Sequence, residues 1–182
     1  MKMNDATNSH ENLQAEIHDL AVAIKAALIE RGEMMATAES CTGGLVASSI
    51  VNEAGSSAIL KGGIVAYQNE VKTKLLGVPE STLMEHGAVS AETVEAMAEG
   101  ALRQFDCQWA VSTSGIAGPG GGTPEKPVGT VWMCVANHCK KIAFCEIFSG
   151  NRDKIREKSV YTVLGKLLFE LNNQKSTCTK EH

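Results

Sequence analysis

A serine and a thiol open a glycine-paired turn in Ala38-Glu39-Ser40-Cys41-Thr42-Gly43-Gly44, and a tyrosine and a lysine follow at Tyr67 and Lys72. A serine hydroxyl is a poor nucleophile until a base removes its proton, and that base can be a histidine or a neutral lysine. No histidine has an obvious place beside the turn, since His10, His18, His86, His138 and His182 are scattered. Lys72 falls about one helical turn past the end of a predicted strand, within reach of a neighbouring strand end. To serve as a base it must drop from a pKa of about 10.4 to about 7 or 8, through desolvation or a nearby cation. Tyr67, at the last position of that strand, is placed to hold the lysine or relay the proton. Spacing alone favours Ser40 as a helix N-cap, Tyr67 as an edge aromatic and Lys72 as a solvated surface lysine, because serines are common at helix starts. Cys41 competes as nucleophile, because a helix N-terminus lowers a thiol pKa, but it lacks a histidine partner.

The turn itself must be held by a strand before it and a helix after it. Met34-Met35-Ala36-Thr37-Ala38 is a short apolar run, and Leu45-Val46-Ala47-Ser48-Ser49-Ile50-Val51 has helical spacing. The first amides of that helix, from Thr42 to Gly44, have no intrahelical partner and attract a phosphate, a carboxylate or a developing oxyanion. Glu39 is read as orienting the turn, and Lys61 and Lys74 as surface residues. A second glycine-rich stretch, Ser114-Gly115-Ile116-Ala117-Gly118-Pro119, follows the predicted strand Trp109-Ala110-Val111-Ser112-Thr113. Ligands of an open α/β sheet bind beyond the C-terminal ends of its strands, which places Ser40 and the segment from Thr113 through Pro119 at one edge. Lys126 and Arg152 could bind phosphate there. Arg152 opens the final helix, where a cation opposes the dipole and anion binding would supply a reason for it. The turn lacks the Gly-x4-Gly-Lys-[Ser/Thr] pattern of a P-loop, and the glycines after Gly118 lead into a strand, unlike a dinucleotide fingerprint.

Around these stretches, apolar spacing predicts helices over residues 12–31, 45–52, 68–77, 91–105 and 152–172, with a further turn or two over 80–86. Strands are predicted over 34–38, 63–67, 109–113, 128–135 and 141–148. The last two are joined too tightly for a parallel crossover. Strands alternating with helices imply a three-layer α/β/α sandwich with a mixed, mostly parallel sheet.

The 182 residues are 43% hydrophobic with a net charge of −4. This suits one domain, with a core over about 12–172 and a polar tail at each end. Nothing basic advertises nucleic acid or an anionic membrane. There is no membrane-spanning run and no secretory signal, so the expectation is a cytoplasmic protein. Cys134, Cys139 and Cys145 are expected to be reduced buried thiols. Cys134, His138 and Cys139 lack the second ligand pair of a metal centre, so no metal site is expected.

Taken in order, Thr37-Ala38-Glu39-Ser40-Cys41-Thr42-Gly43-Gly44, Ala54-Gly55-Ser56-Ser57, Tyr67-x-Asn69-Glu70-x-Lys72, Gly87-Ala88-Val89-Ser90, Ser114-Gly115-Ile116-Ala117-Gly118-Pro119 and Lys126-Pro127-Val128-Gly129-Thr130-Val131 resemble the CinA C-terminal domain family. The resemblance implies a homo-oligomeric amidohydrolase of pyridine nucleotide metabolism and NAD recycling. Such an enzyme converts nicotinamide mononucleotide to nicotinate mononucleotide and ammonia without a cofactor. It also implies a Ser40/Lys72 dyad assisted by Tyr67, with Thr42, Gly43, Gly44, Thr113, Gly115, Ala117, Gly118, Lys126 and Arg152 around the substrate. A non-catalytic nucleotide-binding paralogue, or an amidase for a related pyridine nucleotide amide, is the alternative. Asn151, where the family frequently has an acid, departs from the pattern.

Overall fold

The computed structural model describes residues 3–173, with side chains from residue 12 onward. Five strands form one sheet in the order β2-β1-β3-β4-β5: β1 Met35–Glu39, β2 Leu60–Val65, β3 Trp109–Gly115, β4 Thr130–Asn137 and β5 Lys141–Ile147. β1 pairs in parallel with both β2 and β3, whereas β4 is antiparallel to β3 and to β5. β4 alone therefore runs against the other four, and the sheet is mixed with most strands pointing one way.

Helices cover both faces. α1 (Met3–Arg31), α2 (Leu45–Val51) and α6 (Arg152–Asn173) pack on one, burying Ile24, Leu28, Val46, Ile50, Leu164 and Leu167 against Val111 and Met133. α3 (Asn69–Leu76), α4 (Glu80–His86) and α5 (Ala91–Phe105) lie on the other. There Leu76, Val94, Met97 and Ala101 meet Ala36, Ala38 and Ala110. The small side chains of β1 on this face let α5 approach closely. Ser90 caps α5, its hydroxyl accepting the Thr93 amide at 3.2 Å.

Boundaries differ in instructive places. β2 begins three residues before the predicted start, because Gly62 and Gly63 are packing requirements rather than strand breakers. A Cβ on Gly63 would come within 2.3 Å of Thr37 Oγ1, and one on Gly62 within 2.5 Å of the Phe105 ring. The strand also ends earlier than expected, at Val65, which leaves Tyr67 two residues past it. α1 begins at Met3, inside the expected N-terminal tail, and the expected C-terminal tail from 174 onward lies outside the described residues. The thiol expectation holds for buried Cys134 but fails twice: Cys145 is exposed on the outer strand β5, and Cys139 is disulfide-bonded.

Candidate active site

β1 sits between β2 and β3, so three parallel strands end side by side, and Ser40 stands at the middle exit. Its amide donates to the Thr113 carbonyl of β3 at 2.9 Å, and on the other side the Ala66 amide donates to the Glu39 carbonyl at 2.7 Å. The nucleophile candidate is thus fixed to both neighbours by backbone. Beyond it the chain must reverse into α2 within a few residues. Gly43 (φ 63°) and Gly44 (φ 94°) take successive left-handed conformations, which side-chain-bearing residues adopt only with strain.

Lys72 comes from α3, which β2 launches past Tyr67. The side chain runs inward and is 1% exposed. Its Nζ lies 3.2 Å from Ser40 Oγ, 2.9 Å from the Ala66 carbonyl oxygen and 3.2 Å from that of Tyr67. Carbonyls only accept, so a neutral amine spends its two N–H groups on them and turns its lone pair to the serine hydroxyl. Burial, which penalises the charged form, lowers the Lys72 pKa from its ordinary value near 10.5. Ser40 itself is 8% exposed. Geometry and desolvation both favour a lysine that can take a proton from Ser40.

Glu39 carries more than the sequence reading assigned to it. Its carboxylate is 0% exposed and accepts four hydrogen bonds: from the Gly44 amide at 2.9 Å, Val46 at 3.0 Å, Ala47 at 2.8 Å and the Thr42 hydroxyl at 2.7 Å. The anion-seeking start of α2 is therefore filled by the chain's own carboxylate. This corrects the expectation that the amides from Thr42 to Gly44 receive an oxyanion. The Gly44 amide is spent on Glu39, that of Gly43 donates to the Ser40 carbonyl at 3.2 Å, and that of Thr42 faces the Cys41 sulfur.

The same network disposes of Cys41 as nucleophile. A carboxylate cannot donate, so Thr42 gives its proton to Glu39. Thr113, 2.7 Å from Thr42, must then be the donor between those two hydroxyls. Thr113 is left with lone pairs toward the neighbouring Cys41 thiol. Burial pushes that thiol up to about 11, so it stays protonated at neutral pH. Thr42 and Thr113, expected around the substrate, are both fully buried and brace the turn from beneath. Glu39→Ala should strand three helix amides and a hydroxyl, with a stability loss on the order of 2–4 kcal/mol. Urea unfolding of the variant against the wild type measures it.

Arg152 closes the outer side. Its guanidinium donates to the Gly118 carbonyl at 2.9 Å and to the Tyr67 hydroxyl at 3.3 Å, spanning from the β3 exit to the β2 exit across the position of Ser40. Tyr67 therefore holds Lys72 through its carbonyl, while its phenol is tied to Arg152 and is not on the amine. Lys126 donates to the carbonyls of Val89 at 2.7 Å and His86 at 3.3 Å, which commits its ammonium to bracing the loop before α5. Gly115 has no room for a side chain, because a Cβ there would meet the Thr130 oxygen at 2.7 Å, and Ala117 packs into the core. Arg156, which the sequence reading passed over, donates to the Thr42 carbonyl at 2.8 Å and secures the turn from α6. Its position one helical turn after Arg152 was the available signal.

A family model described as CinA C-terminal domain matches residues 17–171. The chain is similar to a CinA-like protein of Anaeromyxobacter dehalogenans (strain 2CP-C), 48% identical over 156 residues, which are 86% of this chain and 38% of that protein. It is 49% identical over 146 residues to the nicotinamide-nucleotide amidohydrolase PncC of Escherichia coli (strain K12), covering 80% of this chain and 88% of that one. Among solved structures, the competence damage-inducible protein A (ComA) of Klebsiella pneumoniae subsp. pneumoniae MGH 78578 superposes with a TM-score of 0.85 at 34% identity, covering 87% of this chain and 99% of that chain. The competence/damage inducible protein CihA of Agrobacterium tumefaciens does so at 0.83 and 41% identity, covering 87% and 96%. The chain spans 38% of the length of the CinA-like relative, against most of the amidohydrolase. The chain belongs to the CinA C-terminal domain family.

Proposed function

We propose that this chain is a single-domain amidohydrolase that converts nicotinamide mononucleotide to nicotinate mononucleotide and ammonia through an acyl-enzyme on Ser40. The observation that carries the reading is the buried Lys72 amine, held by two carbonyls with its remaining valence toward Ser40 Oγ at 3.2 Å. The name of the similar E. coli protein supplies the substrate.

In the first half-reaction Lys72 takes the hydroxyl proton as Ser40 Oγ bonds to the carboxamide carbon, and the carbonyl oxygen becomes an oxyanion. The ammonium forms beside that oxyanion, in a site with little water to screen the pair, so one step creates both the charge and its partner. Lys72 then passes its proton to the departing nitrogen, the C–N bond breaks, and ammonia leaves. Water, deprotonated by the neutral lysine, attacks the ester carbon. Nicotinate mononucleotide is released and the Ser40 hydroxyl is restored. Arg152, drawn from Gly118 while its other terminal nitrogen stays on the Tyr67 hydroxyl, is the cation available to the substrate phosphate.

Ammonia release measured in parallel with nicotinamide, nicotinamide riboside and nicotinamide mononucleotide tests the reading. The mononucleotide is expected to have a kcat/KM at least about tenfold above the riboside, since a charge-assisted contact to phosphate contributes roughly 1.5–3 kcal/mol. Tight binding of the mononucleotide without ammonia would identify a nucleotide-binding module instead.

A further inference from the structure

The Tyr67 phenol is turned away from the lysine it was expected to serve, so its ring needs another account. The residue is 58% exposed, beside the buried Ser40 and Lys72. Its hydroxyl is held at 3.3 Å by Arg152, and its own carbonyl holds the Lys72 amine at 3.2 Å, so both ends of the residue are fixed. The Arg152 bridge from Tyr67 to Gly118 ties the phenol across the exits of β2 and β3, between which Ser40 follows β1. Among the described residues, the cations seated over aromatic rings are Arg31 on Trp109 and Lys166 on Phe169, which leaves the face of Tyr67 unclaimed. A fixed, solvent-facing aromatic ring beside a nucleophile suits a flat cation, because the negative face of the ring attracts positive charge.

Building on the reading above, we infer that Tyr67 is a specificity-determining residue whose ring face recognises the positive charge of an N-glycosylated pyridinium. The nicotinamide ring of the mononucleotide carries that charge, whereas free nicotinamide and a reduced dihydropyridine ring do not. Arg152 then has two tasks at opposite ends of one substrate, holding the ring of Tyr67 in place and facing the phosphate. The hydroxyl of Tyr67 serves orientation. The recognition lies in the π system.

The test compares nicotinamide mononucleotide with its reduced 1,4-dihydro form, which keeps the carboxamide, ribose and phosphate but has a neutral ring. Binding is measured by calorimetry on the full chain carrying Ser40→Ala, so that turnover does not intervene. That chain should bind the oxidised form about 5- to 30-fold more tightly than the reduced form. Adding Tyr67→Phe should retain most of that ratio, and adding Tyr67→Leu should bring it close to one while leaving the far-ultraviolet circular dichroism unchanged. Equal affinities for the two forms in the Ser40→Ala chain, or a ratio that survives Tyr67→Leu, would overturn the inference. If the ratio follows the ring but the wild type releases no ammonia from either form, the amidohydrolase reading fails and the recognition of ring charge stands.

Discussion

Ser40→Ala is expected to lower ammonia release from nicotinamide mononucleotide by at least about 10³-fold, with a KM within a few-fold of wild type. The size follows from what the hydroxyl does: it forms the covalent bond, and nothing beside it can substitute. The neighbouring thiol is held protonated by burial, next to Thr113. Among the described residues, Lys72 has no other oxygen nucleophile at hydrogen-bond distance, since its remaining contacts are the Ala66 and Tyr67 carbonyls. KM should change little because Ser40 is 8% exposed and supplies little of the binding surface. Steady-state kinetics with coupled ammonia detection decides it. Near-normal turnover in Ser40→Ala would remove the covalent step.

The second large effect belongs to Lys72. Lys72→Met and Lys72→Arg should each cost about 10³-fold or more, the arginine variant because a guanidinium stays charged and offers no lone pair to the hydroxyl. The pH dependence has a definite sign. Only the neutral amine accepts the Ser40 proton, so kcat/KM should fall as pH drops through the lowered pKa of Lys72. Stability moves in the same direction. The folded-state pKa lies below the ordinary value near 10.5, so between the two values the unfolded chain binds the extra proton. Wild-type stability relative to Lys72→Met should therefore rise with pH across that window and be lost as pH falls through the folded value. Urea unfolding of both proteins at several pH values from 7 to 10 reads this difference. A difference that stays flat with pH would mean the lysine titrates normally.

The parts of the site that depend on chain order were legible before the structure. A strand, a glycine pair and a helix place Ser40 at a strand exit, and Lys72 follows the next exit at a helical distance. Periodicity put the two within reach of each other, and only the family resemblance implied that they act as a pair. What periodicity could not reveal was which hydrogen-bond donors were already committed. Glu39 lies on β1 in sequence, but its carboxylate reaches around the turn to the amides of residues 44, 46 and 47. This closure depends on the left-handed path of Gly43 and Gly44 rather than on spacing, and it takes the Gly44 amide, one of those the sequence reading had given to an oxyanion.

Tyr67 holds the lysine, one of its two expected roles, but through its carbonyl rather than its phenol. A strand ending at Tyr67 would direct its side chain by alternation, but β2 ends at Val65, and in the connection to α3 the carbonyl rather than the phenol meets Lys72. Lys126 looked like a free cation because its acceptors, the His86 and Val89 carbonyls, lie far away in sequence. Arg152 was singled out by its unfavourable place at a helix start, and the structure supplies the reason: its guanidinium leaves the helix axis for Gly118 and Tyr67.

The most direct test of the central claim is peptide mass spectrometry after rapid acid quench of the wild-type enzyme turning over saturating nicotinamide mononucleotide at high pH. The account predicts that the peptide containing Ser40 gains the mass of the substrate less ammonia, that fragmentation places the adduct on Ser40, and that Lys72→Arg abolishes it. Sustained ammonia release with an unmodified Ser40 at every quench time, or an adduct on Cys41, would contradict it.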